Sequence, residues 1–98
     1  MVVNYNGQGG GGVKRSTVVA RFDGITIRMY PLNHHPSHFH AEYAGSAAVY
    51  AIPSCEVLAG GLPASQHRKV VEWAEARTTG LERNWEQIRK GEFPEQIG

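Results

Sequence analysis

Two β-rich runs meet at Asp23-Gly24. Thr17-Val18-Val19-Ala20-Arg21-Phe22 precedes the pair and Ile25-Thr26-Ile27-Arg28-Met29-Tyr30 follows it. An Asp-Gly pair between such runs is the strongest short-range hairpin signal, because both central positions of the tight turn need positive φ. An antiparallel sheet is therefore the starting point of the fold. In the second run Ile25, Ile27 and Met29 share one face, and Thr26, Arg28 and Tyr30 share the other.

The chain continues with short β runs between turn signals. Pro31 to Pro36 reads as a loop. A strand re-enters near His38, with His38, His40 and Glu42 on one side and Phe39, Ala41 and Tyr43 on the other. Ala44-Gly45-Ser46 is expected to turn the chain into a fourth strand, Ala47 to Ile52, and Pro53-Ser54-Cys55-Glu56 into a short fifth, Val57-Leu58. Gly60-Gly61 marks the change to helix, with Pro63 in the first helical turn. His67, Val70, Val71 and Ala74 follow the i, i+3, i+4, i+7 stripe beside Trp73. Thr79 and Glu82 have capping-box spacing and predict a second helix from near Gly80, its apolar stripe formed by Leu81, Trp85 and Ile88. Gly91 suits the residue just past its end. The expectation is an α+β fold: an antiparallel β-meander of four or five strands with two C-terminal helices packed on one face.

Ninety-eight residues give one domain. The glycine-rich stretch at residues 1–15 reads as a flexible tail, leaving residues 16–98 as the α+β domain. It lacks the Gly-Lys-Ser/Thr ending of a phosphate loop, and no strand precedes it. Ten Lys and Arg against nine Asp and Glu leave a net charge of +1, which lacks the basic excess of a protein that binds nucleic acid by charge alone. Cys55 is the only cysteine, so there is neither an internal disulfide nor a thiolate cluster. With no apolar run of membrane-spanning length and no secretory signal pattern, the expected location is cytoplasmic.

Chemistry concentrates between residues 34 and 40, where four of the five histidines lie: His34, His35, His38 and His40. His38 and His40, at i and i+2 on a strand, present imidazoles on one face about 6.5–7 Å apart at the backbone. At that spacing two rings converge on a divalent metal such as zinc, with Zn–N bonds of about 2.0–2.1 Å. His34, brought back by the Pro36 loop, is the candidate third ligand. Glu42 lies about 13 Å from His38 along the strand, too far to chelate with both. A metal-free alternative uses His38 and His40 as catalytic acid and base, with Arg28 and Tyr30 as binding groups. The sequence leaves open whether Arg28 and Tyr30 share the histidine face. The plainest alternative is that these histidines hydrogen-bond backbone in an irregular loop and along a polar strand face. His35, before a proline, reads as an outward loop residue. Trp73 and Trp85 read as core anchors, His67 as a satisfied core histidine, and Cys55 as unreactive.

The order of short motifs resembles a bacterial family, domain of unknown function 4160. Ala20-Arg21-Phe22-Asp23-Gly24-Ile25 and Ile27-Arg28-Met29-Tyr30 resemble its start, and His34, Pro36, His38-Phe39-His40 and Ala41-Glu42-Tyr43 its histidine core. Gly61-Leu62-Pro63, Val71-Glu72-Trp73-Ala74 and Asn84-Trp85 resemble its helical half. The resemblance covers residues 17 to 92, departing at Ser37, where a second proline is typical, and at Pro53-Ser54-Cys55. It implies no established activity. It does imply a neighbouring small protein in a toxin–antitoxin-like arrangement. Three readings follow: a protein-interaction module binding that partner, a small metal- or histidine-dependent nuclease-like enzyme, and a nucleic-acid-binding regulator. Whether the chain is an enzyme stays open at this level.

Overall fold

The computed structural model describes residues 16–31 and 35–98. The expected tail at residues 1–15, and His34, lie outside the described residues.

Strand β1 (Thr17–Phe22) turns into β2 (Ile25–Met29) through Asp23 and Gly24, whose φ values of 53° and 78° are those the hairpin needs. The same device joins β3 (His38–Tyr43) to β4 (Ser46–Ala51): Ala44 and Gly45 have φ of 49° and 88°. Tyr43 pairs directly with Ser46. The turn is therefore two residues rather than the expected three, and Ser46 already belongs to the ladder. Strand β5 spans Val57–Gly60, longer than expected. The five strands form one antiparallel sheet in the order β1-β2-β3-β4-β5, with β3 in the middle.

Helix α1 runs from Ala64 to Glu75 and α2 from Thr78 to Arg89. Pro63 stands just before α1, with ψ of 152°, rather than inside its first turn. The capping box is also corrected. Helix α2 starts two residues before Gly80, no side chain caps it, and Thr79 lies within it. The reason is the short joint between the helices. The first intrahelical bond of α2, Leu81 N–H to Arg77 C=O, already closes at Arg77, while the Thr78 hydroxyl bonds back to Ala74. Gly91 takes φ of 84° just past the end of α2, as expected.

Both helices pack on the face that carries Ile25, Ile27, Met29, Phe39, Ala41 and Tyr50. Phe39 stacks on Tyr50 at 5.3 Å and meets the Trp73 edge at 6.0 Å, and Phe22 stacks on Trp73 at 5.4 Å. Val70, Trp73 and Ala74 from α1 and Leu81, Trp85 and Ile88 from α2 complete one continuous core. No helix among the described residues is long and apolar enough to cross a membrane.

After α2 the chain returns across the molecule. Ile97 N–H donates to Val19 C=O at 2.7 Å, and the Gln96 amide reaches Val18 C=O. The strap is held midway by Asn84, a buried α2 residue. Its amide donates to Glu95 C=O at 2.8 Å and its carbonyl accepts from Glu95 N–H at 3.1 Å. The outer edge of β1 thus has a partner from its own chain.

Candidate functional site

Alternation along β3 puts Phe39 and Ala41 into the helix-covered core and leaves His38 and His40 on the opposite face of the central strand. Both are nevertheless buried, at 2% and 8% exposure. The β2–β3 register answers the question the sequence left open. Arg28 pairs with His40 and Thr26 with Glu42, so Arg28 lies on the histidine face. Tyr30 joins it, its ring 4.6 Å from that of His40 in an edge contact. On the other side Val49 pairs with His40 and Ala51 with His38.

His38 is oriented by its own loop. Its Nδ1 lies 2.7 Å from the carbonyl oxygen of Pro36, which can only accept, so Nδ1 is the donor. Pro36 follows His35 and leads into β3, and this turn aims its carbonyl at the ring two residues on. Trp85 of α2 packs against the His38 ring at 5.2 Å and against His35 at 5.9 Å. His35 itself is exposed, as expected.

His40 sits 5.3 Å from His38, ring centre to ring centre, at an interplanar angle of 61°. Burial, and then the neighbouring His38, lower its pKa from 6.5 to about 4. At neutral pH it is an uncharged imidazole. Its Nε2 is buried and meets no hydrogen-bond partner among the described residues.

Arg28 and Glu42 form a diagonal cross-strand pair, Nε to Oε1 at 3.1 Å, and Arg28 Nη1 also donates to the Ser16 hydroxyl at 2.9 Å. Glu42 therefore serves Arg28 rather than the histidines. Among the described residues no group of three His, Cys, Asp or Glu side chains is placed to hold a metal ion.

The remaining candidates resolve as structural. His67 stacks on Tyr50 and shares a 2.9 Å hydrogen bond with its hydroxyl. Cys55 is buried, and burial pushes its thiol pKa up, which makes it a poor nucleophile. Trp73 and Trp85 are core anchors, but Trp85 also backs the His38 ring, a second role that helical spacing alone does not reveal. Trp85 and His35 also line a groove of about 270 Å³ with Ile52, Pro53, Glu82 and Glu86. The Pro36 carbonyl was another group missed from the sequence. A proline two residues before a histidine was its only visible trace.

A family model described as "Domain of unknown function (DUF4160)" matches residues 24–86. The match runs from the first hairpin turn to the last turns of α2 and includes Arg28, Tyr30, His38, His40 and Glu42, though not Ser16. No match is found among curated proteins or among solved structures.

Proposed function

The chain belongs to this family of domains of unknown function, and from that premise we propose that it is the partner-binding member of a bacterial, toxin–antitoxin-like pair. Its partner is a small protein encoded beside it, met in the cytoplasm and held by strand addition at β5. The observation that supports this reading is the unequal treatment of the two sheet edges. The β1 edge is occupied by the C-terminal strap. Strand β5 is the other end of the sheet, and among the described residues it pairs only with β4. An unpaired edge offers a row of backbone donors and acceptors to an incoming strand. Val57, 40% exposed, adds an apolar side chain at that edge. The test is co-purification of the tagged chain with the product of the adjacent reading frame. Val57→Asp is expected to abolish capture while leaving the fold intact. Capture that is undiminished in this variant excludes the β5 edge, and no capture by the wild type defeats the reading.

A second reading, a small histidine-dependent nuclease-like enzyme, is favoured by the cluster of His38, His40, Arg28 and Tyr30 on one face. His34 remains the third metal ligand that the sequence spacing suggests. With its pKa lowered by burial to about 4, His40 is an uncharged imidazole at pH 7. It supplies a lone pair, not a proton. Arg28 is already committed to Glu42 and Ser16. Both facts favour a metal-ligating role over metal-free acid–base cleavage. They also weigh against the nucleic-acid-binding regulator, which the net charge of +1 supports least. Loss of RNA or DNA cleavage in folded His38→Ala and His40→Ala is the expected result for an enzyme. Cleavage equal to wild type in both variants removes the histidines from the mechanism.

A further inference from the structure

We propose that His38 and His40 together bind a borderline divalent transition-metal ion, of the class of zinc or cobalt, through their Nε2 atoms. The inference deepens the histidine reading above, but it requires no catalysis.

Ring geometry is the first support. A zinc-bound imidazole has its ring centre about 3.2 Å from the metal, given a Zn–N bond of about 2.0–2.1 Å. Two such rings at a tetrahedral angle have centres about 5.2 Å apart. The His38 and His40 rings are 5.3 Å apart and strongly inclined to each other, before any metal is added. Two same-face positions on a strand do not by themselves bring rings this close, since backbone spacing there is about 7 Å.

The bond from His38 Nδ1 to the Pro36 carbonyl is the second. Metal-ligating histidines nearly always donate their other ring N–H to a carbonyl or carboxylate, which sets the tautomer and the ring orientation. Here that contact is 2.7 Å long and holds the ring by Nδ1, so coordination would run through Nε2. The Trp85 ring behind His38 further limits its rotation.

The third support is His40 itself. Its Nε2 is buried in a residue only 8% exposed, and among the described residues nothing hydrogen-bonds to it. A buried polar atom left without a partner costs about 1–3 kcal/mol, so such atoms call for an explanation. A metal ion explains this one. It also fits the neighbourhood, because Arg28, the cation opposite His40, has its charge offset by Glu42. Two histidines fill two of the four positions of a tetrahedral ion, and among the described residues no third His, Cys, Asp or Glu joins them.

The test uses the full chain, stripped with EDTA and titrated with ZnCl2 by calorimetry and with CoCl2 by NMR. The expected result is one ion per chain, with the ring resonances of His38 and His40 broadened by substoichiometric cobalt before those of His35 and His67. His38→Ala and His40→Ala are expected to lose more affinity than the 10–100-fold that removing a supporting contact costs. His35→Ala is expected to bind as wild type. Because both histidines are buried, the wild-type broadening pattern decides the matter if either variant fails to fold. Broadening that begins at His35 or His67, or no heat of binding, overturns the proposal. Metal binding without nuclease activity upholds it and removes the enzymatic reading. Cleavage that persists without metal binding does the reverse.

Discussion

Asn84→Ala should weaken the whole domain by removing the pin of the C-terminal strap. Asn84 is 2% exposed, and its side chain both donates to and accepts from the Glu95 backbone at 2.8 and 3.1 Å. Each such hydrogen bond contributes about 0.5–1.5 kcal/mol net. Losing two, together with the small void left in the core, amounts to about 2–3 kcal/mol. For a domain of this size that lowers Tm by roughly 10–20 °C. The strap also supplies the bond from Ile97 N–H to Val19 C=O, so its release should bare the β1 edge. Urea unfolding gives the stability change, hydrogen exchange at Glu95 and Ile97 reports the strap, and light scattering reports association. Gln87→Ala serves as control, because its 3.4 Å contact to the Glu95 carboxylate is exposed and should cost under about 0.5 kcal/mol. Asn84 does not pin the strap if Asn84→Ala costs no more than this control while the two strap amides stay protected.

Three further outcomes are expected. Gly60→Ala should cost about 2–4 kcal/mol by urea unfolding, because Gly60 has φ of 68° and a Cβ there would collide with the Ala47 carbonyl; a neutral result would mean the end of β5 can shift. Tyr50→Phe should cost about 0.5–1.5 kcal/mol by the same measurement, since the 2.9 Å bond to His67 is lost while the ring stacking is kept. Native Cys55 should react with iodoacetamide much more slowly at pH 8 than the urea-unfolded chain does. Its raised pKa keeps the thiol protonated there, and equal rates would show that the thiol is neither shielded nor shifted.

Much of the sheet was legible because its signals are local. Asp23-Gly24 and Ala44-Gly45 specify turns through the positive φ that both positions of each pair take, whatever surrounds them. The period of two put His38 and His40 on one face of β3 and Phe39 on the other. The start of α2 was misplaced because capping-box spacing at Thr79 and Glu82 is a short-range cue. The joint to α1 outweighed it by supplying Arg77 C=O and Ala74 C=O as partners. The strap was invisible, since residues 92–98 carry no periodic pattern and are held by Asn84, Val18 and Val19 from distant parts of the chain.

From the order of its residues alone the chain determined a meander, two amphipathic helices and a same-face histidine pair, because each depends on backbone sterics or on side-chain alternation over a few positions. Tertiary structure alone decided that Arg28 stands opposite His40, since that is a matter of β2–β3 register. It decided that Trp85 backs His38, which depends on where α2 crosses the start of β3. It also decided that His40 is neutral at pH 7. A pKa near 4 comes from the loss of water around the ring and the nearness of a second imidazole, and neither exists until the sheet has closed around them.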